Sequence, residues 1–282
     1  MKLASSIRSL ALLGALLLAG NSLAQSRPAE DSKARLAKAE AMFQERCKKA
    51  GEFIHRTAEN VEGVFLIKVR PSGTNYGHNV EQQFRLDDPY GHDSTDRNYI
   101  ESFLVGRNKN GWLVSTGPVA TKGYRYVDAL DPKDEKRYRY TGSVKSVGKK
   151  DTTAYNVRLE LKRDPNYDLN IYAFVLDKSR TADPAPGYGV TYDDISTREE
   201  REYWIAGSSL KVIDLKTNEV MAERIGYMMD REQGNNSSGR SPWLLAADHA
   251  CPEFPPDGSG HKYQVEQTRR FVEAVLKPIQ ER

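Results

Sequence analysis

Hydrophobic and polar residues alternate with a helical period near the start of this chain of 282 residues. Between residues 32 and 50 the apolar positions fall three or four apart, with Lys and Glu between them, as in an amphipathic helix. Pro28 and Asp31 are start signals and Gly51 is a stop signal. The pattern predicts a helix over about residues 32–50. Its inward positions are Leu36, Ala39, Phe43, Cys47 and Ala50.

The period changes to two after Gly51, which predicts antiparallel strands over about residues 52–230. The clearest alternation is "AYNVRLELK", Ala154 to Lys162, which predicts an antiparallel strand with one solvent-exposed face. The runs "EYWIAGSSLKVIDL" and "EVMAERIGYMM" flank "KTN", Lys216 to Asn218, and predict a hairpin. "RYRYTGSVKSV", "LNIYAFVLD" and "VFLIKVR" also have the β-branched and aromatic residues that strands prefer.

The C-terminal part combines a proline-rich loop with a second helical pattern. "CPEFPPDGSG" at 251–260 predicts the loop, and "YQVEQTRRFVEAVLKPI" predicts a helix over about residues 262–280. Two helices around a run of strands predict a single α+β domain over residues 25–282. In it a mainly antiparallel sheet carries both helices on one face.

The first 24 residues have the pattern of a secretory signal peptide. Lys2 and Arg8 precede an apolar run of eleven residues, Leu10 to Gly20, and small residues follow at Ser22 to Ala24. The run is about half of the roughly 20 residues that a membrane-spanning helix needs. We therefore expect cleavage before Gln25, no membrane insertion after cleavage, and a periplasmic or secreted location.

The charge of the chain gives no reason to expect a nucleic-acid partner. The formal net charge is +3, and it falls to +1 without the leader, because Lys2 and Arg8 are removed and no acid is. A nearly neutral protein lacks the basic surface that attracts nucleic acid or an anionic membrane.

The chain has two cysteines, Cys47 and Cys251, which lie near opposite ends of the expected mature protein. In an oxidising compartment they predict one disulfide between the N-terminal helix and the loop before the C-terminal helix. The alternatives are two unpaired thiols, or a reactive Cys251 served by His249.

Familiar catalytic and cofactor motifs are missing from the sequence. "GYGVTY", Gly187 to Tyr192, lacks the third glycine of a dinucleotide fingerprint, and "GSVKSVGKK", Gly142 to Lys150, has the wrong spacing for a phosphate loop. "SVGK", Ser146 to Lys149, matches Ser-x-x-Lys without the supporting motifs of penicillin-recognising enzymes. The sequence therefore predicts no cofactor and no catalytic residue.

The acidic stretch "RLDDPYGHDSTDR", Arg85 to Arg97, contains four aspartates and a histidine within thirteen residues. Its spacing does not fit a calcium loop, and Asp96 suits the cap of a short helix. We expect a solvated loop whose acids and neighbouring aromatics contact a partner. The predicted partner-binding residues are Asp87, Asp88, Tyr90, His92, Asp93, Tyr99 and Trp243.

Three functions follow as hypotheses. The preferred one is an exported binding protein, of the immunity or inhibitor type, that neutralises an envelope-acting toxin or hydrolase through a protein interface. Such a protein needs a shaped surface with aromatic anchors and no reactive group. One alternative is a metal-assisted periplasmic hydrolase that uses His92, Asp93, His249 and His261. The other is a structural or ligand-carrying protein of the cell envelope.

Overall fold

The computed structural model describes residues 31–70, 83–84, 88–91, 96–105, 123–235, 237–253 and 260–279. The expected leader, residues 1–24, lies outside these ranges. The α-helices are α1 (Ser32–Cys47), α2 (Asp96–Leu104), α3 (Tyr155–Arg163), α4 (Arg198–Glu202), α5 (Pro242–Leu245) and α6 (Gly260–Val275). The strands are β1 (Gly51–Ile54), β2 (Ala58–Val61), β3 (Gly63–Leu66), β4 (Tyr126–Leu130), β5 (Arg137–Lys149), β6 (Asn170–Arg180), β7 (Tyr188–Asp194), β8 (Ile205–Asp214), β9 (Glu219–Met229), β10 (Ala250–Cys251) and β11 (Leu276–Pro278).

Nine of these strands form one sheet in the order β1-β9-β8-β7-β3-β4-β5-β6, with β10 also paired to β9. The expected mixture of helices and one large sheet is confirmed. Strand β3 runs parallel to both of its neighbours, β4 and β7, and the other pairings of this sheet are antiparallel. The parallel β3–β4 pair needs a long crossover, which contains α2. A short parallel pair, β11 with β2, forms a second sheet.

Helices cover both faces of the sheet, so the expectation that they share one face is wrong. Ala39 and Phe43 of α1 pack in one cluster with Ile205 of β8. Phe271 of α6 packs in another cluster with Leu210 of β8. Because side chains alternate along a strand, positions 205 and 210 point to opposite faces. Burial from both sides explains why almost the whole of β8 is buried.

The segment with the clearest alternation is a helix, and the prediction of a strand over Ala154–Lys162 is wrong. It forms α3, which connects β5 to β6. In α3 the apolar residues Val157 and Leu161 are four apart, so they also satisfy a helical period, and Arg, Glu, Leu and Lys are good helix formers. Val157 is buried, while Tyr155 and Leu159 are exposed. An alternation over nine residues therefore did not distinguish the two structures.

The predicted disulfide between Cys47 and Cys251 is present, with 5.6 Å between the Cα atoms. It joins the end of α1 to β10, where Cys251 pairs with Tyr227 of β9. The predicted hairpin around "KTN" is also present as β8 and β9. The C-terminal helix ends at Val275, earlier than expected, because residues 276–278 form β11.

Candidate functional site

Residues Asp88 to Gly91 of the acidic stretch lie in the interior of the protein, whereas Arg97 on α2 is exposed. Asp88 is 4% exposed, and Tyr90 in the 3-10 turn Pro89–Gly91 is 1% exposed. The expectation that these residues lie in a solvated loop is therefore wrong. The reason is that Arg70 pairs with Asp88, while the side chain of Arg70 packs directly on Gly91. Asp87, His92 and Asp93 lie outside the described residues.

Tyr99 and Trp243 are also buried, so neither ring is an exposed anchor in this structure. Tyr99 lies on α2 and meets Phe103 edge to face, with 5.3 Å between ring centroids. Trp243 lies on α5, 4.9 Å from the ring centroid of Trp204. Both residues are parts of the hydrophobic core.

The residues of the metal-site hypothesis do not come together within the described ranges. The His249 ring packs against Phe43, with 4.6 Å between centroids, and its Nε2 lies 3.3 Å from Glu40 Oε1. His261 belongs to α6, and its side chain is not described. Among the described residues no three His, Cys, Asp or Glu side chains are arranged to hold a metal ion.

What the structure does bring together is a buried arginine cluster, formed by Arg70, Asp88, Tyr90, Tyr99 and Arg224. Arg70 Nη2 donates to Asp88 Oδ2 over 2.6 Å, and Ser208 Oγ donates to the same oxygen over 3.1 Å. The guanidinium carbon of Arg70 lies 4.9 Å from the Tyr99 ring centroid. That of Arg224 lies 4.8 Å from the Tyr90 ring centroid.

The sheet fixes Arg224 within this cluster. Cross-strand register aligns Tyr192 of β7 with Leu210 of β8, and Leu210 with Arg224 of β9. Directly opposite residues of neighbouring strands point to the same face, so Arg224 points toward the α6 side of the sheet. Two residues on, Gly226 leaves room for the Tyr90 ring, which a Cβ atom there would overlap.

Burial changes the acid–base properties of the cluster. It lowers the pKa of Arg224, and it raises the pKa values of Tyr90 and Tyr99, so both phenols stay neutral. Burial is the largest influence on Arg70 and acts to lower its pKa, but the charge of Asp88, the hydrogen bond to Asp88 and the nearby Tyr99 and Tyr192 phenols together outweigh it, so the pKa is raised. The cluster thus holds two guanidinium groups and one carboxylate.

A second feature is an arm, residues 141–177, formed by the outer parts of β5 and β6 with α3 between them. Strand β4 pairs with β5 only at residues 137–140. Beyond them, within the described strands, β5 pairs only with β6, up to Lys149 opposite Asn170. Phe174 and Leu176 pack against the main core and fix the base of the arm.

The outer end of the arm exposes apolar side chains. Tyr155 is 71% exposed and Leu159 is 37% exposed, and they are four residues apart on α3. Val147 of β5 and Ile171 of β6 are also exposed. A basic pair, Arg158 and Lys162, is exposed on α3 as well and has no ion pair within the described ranges. The tip therefore presents an apolar patch beside positive charge.

Sequence reasoning missed both arginines of the cluster and placed α3 in a strand. One signal could have revealed Arg224: on its face of β9 the neighbours are Ala222, Gly226 and Met228. An arginine among small and apolar residues of one strand face indicates an inward-pointing charge. Arg70 gave no such signal, because it follows the end of its strand.

Comparisons with known proteins returned no match to a family model, to a curated protein or to a solved structure. Across the part of the chain that the structure describes, no helix has the length and apolar character needed to cross a membrane.

Proposed function

We propose that this chain is an exported binding protein that contacts a protein partner through the tip of its arm. The observation that carries this proposal is the exposure of Tyr155 and Leu159 on a helix with one buried side chain, Val157. An ordinary connection between two strands needs two to five residues. Here the connection uses residues 151–168, although the backbone hydrogen bond from Lys150 N to Leu169 O already closes the ladder between β5 and β6.

The tip has the composition of a protein interface. Interfaces use exposed tyrosine as an anchor, with apolar neighbours around it and charges at the rim. Arg158 and Lys162 supply a positive rim, so the partner should offer an apolar pocket bordered by acidic side chains. Lys150 holds the tip in place, since its Nζ lies 4.2 Å from the Tyr167 ring centroid and 3.0 Å from the phenol oxygen.

The class of binding protein remains the one that the sequence favoured, an immunity or inhibitor-type protein acting on an envelope toxin or hydrolase. The disulfide is consistent with an oxidising compartment, where the leader would direct the chain. The proposed interface differs in position from the one that the sequence predicted. In our proposal the anchor residues are on α3, whereas Tyr90, Tyr99 and Trp243 belong to the core.

Site-specific photo-cross-linking in the source cells tests this proposal. A photoreactive phenylalanine replaces Tyr155 in one variant and Val220 in another. Val220 is a matched control, because it is an exposed apolar residue on a different element, β9. We expect one protein adduct of defined mass from position 155, lost when Leu159→Asp is added, and none from position 220. No adduct from position 155, or the same adducts from both positions, would refute the proposal.

A further inference from the structure

Arg224 of β9 is a buried arginine whose charge has no carboxylate partner among the described residues. The residue is 2% exposed, yet none of its three guanidinium nitrogens has a hydrogen-bond partner among the residues that the structure describes. Its contact is the face of Tyr90, 4.8 Å from the guanidinium carbon to the ring centroid. A cation–π contact uses the face of the guanidinium and leaves its five N–H groups unused.

Such an arrangement is costly without an anion. A buried charge is stable in proteins when it is paired and hydrogen-bonded. Burial lowers the pKa of Arg224, but an arginine side chain is not deprotonated in proteins, so the charge remains. The usual partner of a buried guanidinium is a carboxylate or a phosphate, which matches its planar fork of donors.

The charged neighbours of Arg224 do not supply that partner in this structure. Asp88 Oδ2 accepts from Arg70 and Ser208, Asp88 Oδ1 makes no hydrogen bond to Arg224 in the described structure, and Arg70 adds a second positive charge. Glu52 of β1 is directly opposite Arg224 in the register, but it is exposed and makes no ion pair with Arg224 in the described structure. Among the described residues of the cluster, one positive charge is therefore not balanced by a carboxylate.

We propose that the buried arginine cluster binds a small oxyanion, a carboxylate or phosphate group, through the N–H groups of Arg224. Arg70 Nε is a second buried donor of this cluster that has no hydrogen-bond partner among the described residues. The neutral phenols of Tyr90 and Tyr99 line the site without repelling an anion. This site lies in the sheet and not on the arm, so it is independent of the proposed protein interface.

Native mass spectrometry and thermal unfolding of the purified protein test the inference. The probes are inorganic phosphate, acetate and, as a reference, chloride at equal ionic strength. We expect a bound increment in the mass of the wild type, whose size tells phosphate from an organic carboxylate. We also expect a saturable rise in Tm with phosphate or acetate that chloride does not produce.

Four variants complete the experiment. Arg224→Met should abolish the increment and the saturable response, and Arg224→Lys, which keeps the charge and loses the fork, should weaken binding roughly tenfold. Arg180→Met removes an exposed arginine of β6 outside the arm and should leave both signals unchanged. Glu52→Gln should also leave both unchanged if a ligand, and not Glu52, neutralises Arg224.

Either of two results would overturn the inference. One is the absence of a mass increment in the wild type together with an equal change in its Tm with all three anions. This result does not depend on whether any variant folds. The other is an increment that survives Arg224→Met.

Discussion

Arg70 and Asp88 form an ion pair in the interior of the protein, with 2.6 Å between Nη2 and Oδ2. Each side chain is at most 2% exposed. The sequence pattern around Asp88 predicts a solvent-exposed loop. Because Asp88 pairs with Arg70, this segment is instead part of the protein interior. The 3-10 turn that follows Asp88 packs against the sheet, where the Tyr90 ring contacts Gly226.

The first prediction concerns this pair. Asp88→Asn should lower the free energy of unfolding by about 3–5 kcal/mol, because it leaves two buried guanidinium groups without a carboxylate. Urea unfolding measures the change. The matched control is Glu62→Gln, which breaks the half-exposed pair with Arg125 and should cost under about 1 kcal/mol. Equal effects of the two substitutions would contradict the interior placement of Asp88.

The second prediction concerns the glycine beneath Tyr90. A Cβ atom at position 226 would overlap the Tyr90 ring, so Gly226→Ala should destabilise by about 1–3 kcal/mol. At Gly187 a Cβ atom meets nothing within 4 Å, and Gly187→Ala should be nearly neutral. Thermal unfolding of the two variants compares them directly. Equal stability of both would show that the 3-10 turn does not rest on β9.

The third prediction is a pH dependence at the β8–β9 turn. Arg56 donates to Asp214 over 2.7 Å and, with backbone N–H groups of the turn, lowers the pKa of Asp214 below its ordinary 3.8. A carboxyl group whose pKa is lower in the folded than in the unfolded protein stabilises the fold at pH values above its unfolded-state pKa. This stabilisation is lost as the pH falls through the pKa of the folded state. The stability difference between wild type and Asp214→Asn should therefore shrink below about pH 4.

The control for this pH dependence is Arg56→Gln, which removes the largest cause of the lowered pKa and keeps the carboxylate. Its stability profile should resemble that of Asp214→Asn below about pH 4. A wild-type advantage that stays constant through acid pH would exclude Asp214 as its source. Free energies of unfolding at a series of pH values provide the measurement.

The fourth prediction concerns Cys47 and Cys251, which are 204 residues apart in sequence. The denatured, unreduced mature protein should contain no titratable thiol. Replacing both cysteines by serine should lower the free energy of unfolding by about 5 kcal/mol in the chain-entropy model. Two titratable thiols, or a double variant as stable as the wild type, would contradict the bond.

Much of the fold could be predicted from local patterns, because those patterns report burial. The inward stripe of the N-terminal helix predicted α1, and the same stripe together with the second cysteine predicted the disulfide. The "KTN" turn between two alternating runs predicted the β8–β9 hairpin. The helix and the hairpin depend on residues that are close in sequence, and the disulfide follows from the presence of only two cysteines.

Two kinds of feature could not be predicted in this way. Strand order and the parallel placement of β3 depend on contacts between distant segments, which no local period encodes. Asp88 was placed on the surface because its partner, Arg70, is 18 residues away and gave no sign of burial. For α3 the local pattern was ambiguous, since Val157 and Leu161 satisfy both periods.

The most direct test of the arm as the interface is a variant without α3. Residues 151–168 are replaced by Asn-Gly, a turn suited to a two-residue hairpin, because Lys150 and Leu169 already close the β5–β6 ladder. Circular dichroism establishes that the sheet is retained, and calorimetry measures the Kd for the protein captured at position 155. We predict that affinity falls at least roughly 100-fold, about 2.7 kcal/mol, while Val220→Ala binds like the wild type. A folded variant without α3 that binds this partner with the wild-type Kd would contradict the account.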